Sequence, residues 1–346
     1  MTVVMVEDLD PTSADAGVPA HYGDPMREQR TLATAVGLVD RSHRDVIAVP
    51  GDERASWLHT LTSQHLSDLG PNQGSELLVL SPHGHVEQHA FVTEDGTTAW
   101  LDTEPGAGAG LLKYLEMMRF FTRVEPRDAT AEIAVLSLVG PGAADLFPGL
   151  AAPRLAEVPG PKFASGTVPA HSTSLYAVEP FEGGLARRVP LGVDLLVPRE
   201  ARTSVIEKLG VPLAGLLAYE AIRVEHRVPR LGWETDHRTI PAEAELVAAA
   251  VHLDKGCYRG QETVARVHHL GRPPRRLVLL HFDGIASDLP PAQGTPVLSG
   301  EREVGFIGTA VRHHELGLVA LAVLKRNLAD DALLTVGDSV AAIDPA

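Results

Sequence analysis

Apolar residues recur at the spacing of an α-helix in several segments of the chain. In residues 51–63, Trp57, Leu58 and Leu61 share one helical face, and Asp52 precedes them as the expected capping residue. The same spacing recurs in later segments, of which one begins with a proline and ends at a glycine. The pattern therefore predicts helices in 51–63 and in the segments 108–121, 198–210 and 212–226.

Alternating apolar and polar residues predict strands elsewhere. Residues 74–102 indicate successive strands that turn at the sequences PHG and EDG. From residue 271 onward, short apolar runs are separated by Gly, Pro and Asp, which is typical of a small β-barrel or sandwich. The Pro- and Arg-rich sequence LGRPPRR precedes these runs. We therefore expect a poorly ordered lead-in over 1–20, a body over 21–270 and a separate β-domain over 271–346.

Composition narrows the possible functions. The chain of 346 residues has 44% hydrophobic residues and a formal net charge of −15, which argues against broad binding to the phosphate backbone of nucleic acids. A single cysteine cannot form an internal disulfide. The first residues lack the pattern of a signal peptide, and no apolar run reaches membrane-spanning length. We expect a cytoplasmic protein that does not enter a membrane.

The only cysteine, Cys257, lies in the sequence KGCYRGQE. Lys255 and Arg259 supply nearby positive charge, which favours a reactive thiolate, and the flanking glycines allow the backbone to approach a ligand. A buried, inert cysteine that acts as a small apolar side chain is an equal alternative. The spacing excludes a site for zinc or an iron–sulfur cluster held by several cysteines of this chain.

Two further groups of polar residues could form a site. His83, His85 and His89 could bind a metal, but Pro82 and Gly84 are typical turn residues and favour a hairpin. Around the end of the predicted helix in 212–226, Glu225 could present both carboxylate oxygens to adjacent N–H donors, such as those of a pterin. A solvated helix end with surface ion pairs explains the same charges, and the residues alone favour that interpretation.

The sequence KGCYRGQE resembles the K-G-C-Y-x-G-Q-E signature of the YgfZ family of folate-binding proteins, relatives of the glycine-cleavage aminomethyltransferase (T-protein). Other segments are similar in the same order: GLVDRSHRDVIAVPGDERASWLHTLTSQ, LLVLSPHGHVEQHAFV, AIRVEHRVPRLGWE and TIPAEAEL. The resemblance covers about residues 21–346. It implies an α+β fold, with an aminomethyltransferase-like folate-binding body of two intertwined subdomains around a central cavity, followed by a C-terminal β-barrel.

The resemblance also implies which residues act. Tetrahydrofolate or a one-carbon derivative would lie in the central cavity, and Cys257 and Lys255 would be the chemically active residues there. Glu225 would hold the pterin edge, and Tyr219 would form a stacking wall. The expected folate contacts are Glu225, Arg223, Tyr219, Tyr258 and Arg227.

Three positions depart from the family pattern. The asparagine-rich strand of the T-protein is absent, and only Asp102 in WLDTEPGAG could substitute for its aspartate, which argues against aminomethyl transfer. Arg227 and Glu245 stand where the family usually has Gly. Because a side chain disfavours positive φ, we expect the helix end near Arg227 to be built differently.

The resemblance implies a tetrahydrofolate-binding accessory protein that assists iron–sulfur cluster assembly or repair, with folate and iron–sulfur client or assembly proteins as its partners. The alternative is a folate-dependent aminomethyl- or methyltransferase, and the sequence leaves open whether the chain has catalytic turnover. A folate reservoir without chemistry is a third possibility.

Overall fold

A long, largely antiparallel sheet forms the body of the chain in a computed structural model that describes residues 2–154, 175–285 and 289–345. Its strands follow the order β13-β3-β9-β12-β11-β10-β5-β6-β7-β4-β8. The predicted strands of residues 74–102 lie within it as one antiparallel meander. The strands are β3 (Gly37–Asp40), β4 (Asp45–Pro50), β5 (Gln73–Leu80), β6 (Val86–Glu94), β7 (Thr98–Thr103), β8 (Arg127–Asp128), β9 (Ile133–Val139), β10 (Tyr176–Phe181), β11 (Gly184–Val189), β12 (Gly192–Pro198) and β13 (Leu213–Ala214).

Helices cover the sheet. The four predicted helices are present and are named α3, α4, α6 and α7. The predicted start of α3 is wrong by one residue, because Glu53 rather than Asp52 flanks its first turn. A further helix, α9, begins at Gln261, within KGCYRGQE, and was not predicted. The helices are α1 (Val6–Leu9), α2 (Pro25–Thr34), α3 (Arg54–Leu61), α4 (Gly108–Met117), α5 (Ala143–Leu146), α6 (Arg202–Leu209), α7 (Leu216–Glu225), α8 (Val247–Ala250) and α9 (Gln261–Leu270), with 3-10 turns at Arg199–Ala201 and Pro241–Glu243.

The body has two main hydrophobic cores. One lies between the strands β4 to β7 and the helices α3 and α4, and it includes Trp57, Leu77 and Leu111. The other lies between β9, β12 and the helices α5 and α6, and it includes Leu136 and Val205. Burial of these apolar side chains contributes a free energy of about 25 cal/mol per Å² of apolar surface, which stabilises the fold of both halves of the body. In the described residues, no helix is both long and apolar enough to cross a membrane.

The C-terminal strands form a closed barrel of six strands, which confirms the predicted β-barrel. The barrel closes because β14 pairs with both β17 and β19. Its outer face packs against Ala221 and Val224 of α7, so α7 is held between the barrel and the body. The strands are β14 (Arg275–Phe282), β15 (Pro296–Ser299), β16 (Arg302–His313), β17 (Gly317–Lys325), β18 (Leu334–Val336) and β19 (Ser339–Ile343).

The first twenty residues are not a loose lead-in, contrary to the expectation. Two short strands, β1 (Val4–Met5) and β2 (Pro19–His21), pair there with each other. Asp15 is buried, and its carboxylate lies 2.7 Å from Arg230 Nη2 and 3.2 Å from His43 Nε2. The polar composition hid this order, because the segment is held by buried ion pairs as well as by apolar contacts.

Candidate functional site

A central cavity of about 320 Å³ lies between the middle of the sheet and α7. Its walls come from β5, β6, β9 and β10, from the turn between β11 and β12, and from the chain that follows α7. Leu138, Leu191 and Phe91 supply apolar surface, while Glu76 and Glu104 supply charge. Ligand pockets commonly have volumes of roughly 300–1,000 Å³ with apolar walls and a few polar groups, so this cavity is suited to a small organic ligand.

Glu76 is at the centre of a polar cluster on one wall of the cavity. Its Oε2 lies 2.7 Å from Nε2 of His89 on the neighbouring strand, and its Oε1 accepts a hydrogen bond from the Tyr176 hydroxyl. Burial, followed by the Glu76 charge, raises the pKa of Tyr176 well above its usual value, so Tyr176 remains the donor. Each carboxylate oxygen has a second lone pair, so Glu76 can still accept a hydrogen bond from a ligand.

Glu104 forms a second polar cluster with two arginines. Its Oε1 lies 2.7 Å from Arg44 Nη1, and its Oε2 lies 2.7 Å from Arg230 Nε. Although burial acts to raise it, the pKa of Glu104 lies well below its usual value because these guanidinium groups stabilise the carboxylate. Glu104 is therefore ionised at neutral pH.

Asp102 is sealed beneath the cavity wall instead of facing a ligand. It is 1% exposed, and its two oxygens lie 2.7 Å from Arg187 Nη1 and 3.1 Å from Arg44 Nε. Burial acts to raise its pKa, but Arg187 and Arg44 outweigh burial and keep the pKa below the usual value. Asp102 does not line the cavity, so it is not placed to act on a group bound there.

Tyr219 lies in the cavity wall, as expected from the sequence. The guanidinium carbon of Arg41 lies 4.2 Å from the centre of its ring, and Arg41 Nη1 donates to Ser137 Oγ at 3.2 Å. Burial raises the pKa of the Tyr219 hydroxyl. Tyr219 therefore presents a neutral, fixed aromatic ring at the cavity.

Arg223 borders the cavity, but its charge is already compensated. Its guanidinium group lies 2.6 Å from Glu220 Oε2, donates to the Val228 carbonyl at 2.6 Å and lies 3.3 Å from Glu234 Oε2. It also donates to Thr309 Oγ1 of the barrel. Arg223 therefore joins α7 to the barrel. Because its guanidinium group is occupied by these partners, its geometry does not favour the expected direct contact with folate.

Glu225 does not line the central cavity, contrary to the expected pterin contact there. The side chain is 38% exposed and points to the barrel, where Oε2 lies 3.4 Å from His313 Nε2. Glu225 is the last residue of α7, so its direction follows from the rotation of the helix. His226 and Arg227 line the cavity in this segment, so the position that the resemblance implied for the Glu225 carboxylate is wrong.

Arg227 and Glu245 both adopt the left-handed backbone conformation that their side chains disfavour, with φ of 54° and 58°. The expectation that the helix end is built differently is therefore wrong. Arg227 lines the cavity, and its Nη2 lies 2.7 Å from Asp344 Oδ2 of the barrel. A non-glycine residue in this conformation costs about 1–2 kcal/mol, and this ion pair and the backbone contact of Arg227 to Val224 offset part of it.

Cys257 is exposed, so the alternative of a buried apolar cysteine is wrong. It also lies outside the central cavity, contrary to the expectation. It lines a separate shallow groove together with Tyr114, Met117 and Met118. Met117 is 62% exposed, and Phe120 and Phe121, which follow α4, are 76% and 102% exposed. The thiol therefore borders an exposed apolar surface.

The two cations expected to activate the thiol are engaged elsewhere. Lys255 is buried, and its Nζ donates to the carbonyls of His59, Thr62 and Gln64 at the end of α3. Burial lowers the pKa of Lys255 to about 7, whereas the three carbonyl oxygens favour the ammonium form. Lys255 thus attaches the loop to α3. Arg259 pairs with Glu87, with Nη1 and Oε2 3.2 Å apart.

Two further residues of KGCYRGQE have packing roles. Tyr258 is buried in a cluster with Leu80 and Val264 and does not line the cavity, so its expected folate contact is wrong. Gly260 has φ of 81°, and a Cβ there would lie 2.6 Å from the Ser81 carbonyl oxygen. The glycine is required because the loop packs tightly against the turn of the β5–β6 hairpin, not because a ligand approaches it.

The segment that contains His83, His85 and His89 forms the turn and second strand of the β5–β6 hairpin, as the turn residues predicted. Within the described residues, no group of three or more His, Cys, Asp or Glu side chains could hold a metal.

Sequence reasoning missed the polar residues that do line the cavity: Arg41, Glu76, Glu104, Asp194 and Arg230. A glutamate within the apolar strand sequence GSELLVL was a signal for Glu76, because an unpaired charge is rarely buried.

Two known domain families match parts of the chain. The GCVT N-terminal domain matches residues 18–169. The CAF17 C-terminal β-barrel domain matches residues 275–346, which begins at the first residue of β14. The two matches thus fall on the body and on the barrel.

Known proteins resemble the chain over most of its length. A putative chloroplastic transferase of Arabidopsis thaliana is 25% identical over 340 residues, 95% of this chain and 75% of that protein. The aminomethyltransferase of Prosthecochloris aestuarii is 26% identical over 83% of this chain and 78% of that protein. The crystal structure of aminomethyltransferase T from Bartonella henselae, of the glycine cleavage system, superposes with a TM-score of 0.77 at 18% identity, covering 97% and 92% of the two chains. The chain therefore has an aminomethyltransferase-like fold, with a GCVT N-terminal domain and a CAF17 C-terminal β-barrel domain.

Proposed function

We propose that the chain binds tetrahydrofolate, or a one-carbon derivative of it, in the central cavity, and that it serves as an accessory protein in iron–sulfur cluster assembly or repair. The cavity carries the folate part of the proposal. It combines apolar and aromatic surface from Phe91, Leu191 and Tyr219 with fixed carboxylates. A pterin is flat and has N–H donors along one edge, so it needs this combination of walls and acceptors.

Glu76 takes the place that the sequence assigned to Glu225. It faces the cavity, and its partners Tyr176 and His89 hold it in one orientation. Glu104 is a weaker alternative, because two guanidinium groups already neutralise it. A carboxylate whose partners leave lone pairs free can accept two N–H donors of a guanidine-like edge.

The position of Asp102 argues against aminomethyl transfer. Its carboxylate is fixed between Arg187 and Arg44 beneath the wall, where a bound one-carbon unit could not reach it. A folate carrier does not need such an acid. A bound folate would supply the one-carbon chemistry, and the residues of the chain would orient the pterin and exclude water from it.

The accessory role is supported by the sequence KGCYRGQE and by the surroundings of Cys257. One thiolate cannot hold an iron–sulfur cluster alone, so any cluster at Cys257 would be shared with a partner. Met117 is exposed and lines the same groove as the thiol, and the exposed Phe120 and Phe121 follow shortly after it in the chain, so this region offers apolar surface to such a partner. The folate cavity and the thiol would then be separate sites.

Calorimetric titration with tetrahydrofolate tests the cavity directly. Ala249 is a half-buried residue of the cavity wall, so Ala249→Trp would fill the space. Ala109→Trp makes the same change at an exposed position of α4 and is the matched control. We expect binding by the wild type and by Ala109→Trp, and at least a tenfold loss for Ala249→Trp. Equal affinity of all three proteins would reject the cavity as the site.

Turnover separates the accessory role from the transferase alternative. In a coupled assay with an aminomethylated lipoyl carrier and tetrahydrofolate, we expect no transfer above the uncatalysed rate. A rate near that of a median enzyme, about 10 s⁻¹, would reject the accessory role and favour the aminomethyltransferase.

A further inference from the structure

Two phenylalanines are exposed to solvent directly after α4. Phe120 is 76% exposed and Phe121 is 102% exposed, and Met117, the last residue of the helix, is 62% exposed. Two arginines, Arg119 and Arg123, alternate with them in the sequence MMRFFTR, which contains no acidic residue. We call these five residues the aromatic patch. Large apolar side chains that lie together and exposed are typical of an interaction site.

The backbone of Phe120 is strained. It adopts the left-handed conformation, with φ of 44°, which a bulky side chain disfavours and which glycine adopts readily. Backbone strain of this kind persists only where the surrounding structure imposes it, and it concentrates at functional sites. Because the Phe120 ring is exposed, packing within the chain does not explain an aromatic residue at this strained position.

The segment that carries the two rings is fixed at both ends. On one side, Trp57 Nε1 of α3 donates to the Met118 carbonyl oxygen at 3.1 Å. On the other side, the backbone N–H of Arg123 donates to Glu53 Oε2 at 2.6 Å. A surface that is already ordered loses less conformational entropy when a partner covers it, so the aromatic patch is preorganised for binding.

The aromatic patch is continuous with the groove of Cys257. Met117 and Met118 line that groove together with the thiol. Three residues of chain span at most about 11 Å, so the Cα atoms of Phe120 and Phe121 lie within about 11 Å of the Cα atom of Met118. A protein that covers the aromatic patch therefore also reaches the groove of the thiol.

Charge distinguishes between the possible occupants. Arg119 forms no ion pair among the residues that the structure describes, and the Arg123 side chain is 74% exposed, with Nε 3.5 Å from Glu53 Oε2. The patch is thus positive on a chain with a net charge of −15. That net charge opposes approach to an anionic membrane. Two copies of the patch face to face would bring like charges together, which disfavours a symmetric dimer.

The composition of the patch favours a protein partner. Phe, Met and Arg are enriched in protein–protein interfaces, and Lys, Glu and Asp are depleted there. Aromatic anchors of this kind insert into apolar pockets of the partner, while charged residues at the rim select its sign of charge. The matching surface is an apolar pocket that accepts the two rings and is bordered by carboxylates.

We propose that the aromatic patch is the docking surface for the iron–sulfur client or assembly protein, and that this partner has an apolar pocket with an acidic rim. The inference rests on the proposed accessory role and specifies where the partner binds and by which chemistry. Phe120 and Phe121 anchor the partner, Arg119 and Arg123 orient it, and Cys257 lies at the edge of the contact.

Complementation tests the anchor residues in the full chain. The readout is the activity of the iron–sulfur enzymes that lose activity in cells lacking the protein. We expect Phe120→Ser/Phe121→Ser to restore about tenfold less activity than the wild type, and to keep the wild-type Tm and folate affinity because both side chains are exposed. Ile285→Ser/Leu333→Ser changes two apolar residues of the barrel, 86% and 72% exposed, and should restore full activity.

A charge reversal tests the acidic rim. Arg119→Glu should restore about threefold less activity than the wild type, because a carboxylate would then face carboxylates of the partner. Arg30→Glu makes the same change at an exposed position of α2 and should restore full activity. Equal activity of these two variants would overturn the acidic rim.

Photo-crosslinking in living cells identifies the occupant. With p-benzoylphenylalanine in place of Phe121, we expect a covalent adduct that mass spectrometry identifies as an iron–sulfur enzyme or an assembly protein, and a weaker adduct when Arg119→Glu is added. An adduct with lipid or with a second copy of this chain, or the lack of any adduct, would overturn the proposal.

The outcomes separate the docking surface from the accessory role. Full restoration by Phe120→Ser/Phe121→Ser, together with no restoration by Cys257→Ala, would overturn the docking surface and leave the accessory role in place. If the wild type itself restores no iron–sulfur enzyme, the accessory role is rejected, and the docking surface with it.

Discussion

Replacement of Asp102 by Asn distinguishes a structural carboxylate from a catalytic one. Asp102 is buried between Arg187 and Arg44, at 2.7 and 3.1 Å. The amide nearly preserves volume but removes the charge that both guanidinium groups share. Loss of one partner from a buried ion pair costs about 3–5 kcal/mol. Because Arg187 keeps Asp194 and Arg44 keeps Glu104, we expect the lower end, about 3 kcal/mol.

This loss should be visible in a thermal melt. With an unfolding entropy of about 2.1 cal/mol/K per residue, a loss of 3 kcal/mol lowers the Tm of a chain of this length by about 4 °C. Asp145→Asn changes an exposed aspartate and should leave the Tm within 1 °C. Differential scanning calorimetry of the three proteins at pH 7 measures both values.

Folate titration of the same proteins completes the test. A structural Asp102 predicts that the folded Asp102→Asn protein binds tetrahydrofolate within about threefold of the wild type. An unchanged Tm together with a large loss of folate binding would refute the reasoning, because it would mean that Asp102 faces the ligand and not its arginine partners.

Three further predictions follow from other parts of the fold. Asp15→Asn should cost about 2 kcal/mol in urea unfolding at pH 7. His43 and Arg230 hold the pKa of Asp15 below its unfolded value despite burial. The stability that Asp15 contributes should therefore be full above about pH 5 and fall as the pH drops through 4. An unchanged urea midpoint in Asp15→Asn would mean that the N-terminal segment is loosely held. Glu245→Gly should stabilise the chain by about 0.5–1 kcal/mol by relieving its positive φ, and a lower urea midpoint would contradict this. Cys257→Ala should leave the Tm and folate affinity unchanged, yet fail to restore iron–sulfur enzyme activity in cells that lack the protein; full restoration would show that the thiol is dispensable.

The regular elements could be predicted from the sequence because their signals are local. The helices α3, α4, α6 and α7 follow from apolar spacing, and the barrel follows from short apolar runs broken by Gly and Pro. The helix α9 was missed because its start, Gly260 at φ of 81°, is shaped by contact with the distant hairpin turn. Such a tertiary contact leaves no pattern in the neighbouring residues.

The site was harder to predict because charge and position do not reveal direction. Glu225 and Arg227 are two residues apart at the end of α7 and both contact the barrel, yet Arg227 lines the central cavity and Glu225 does not. Lys255 looked like an activating cation, but its amine holds the end of α3. Glu76 and His89 meet only because β5 and β6 pair in one particular register. Each outcome depends on packing between segments that are distant in sequence.

A crystal structure of the chain with tetrahydrofolate bound tests the central claim most directly. The account predicts the pterin in the central cavity, within hydrogen-bonding distance of Glu76 and against the ring of Tyr219, with Cys257 outside the bound ligand's surroundings. Folate bound beside Cys257, or an empty central cavity in a crystal saturated with folate, would contradict it.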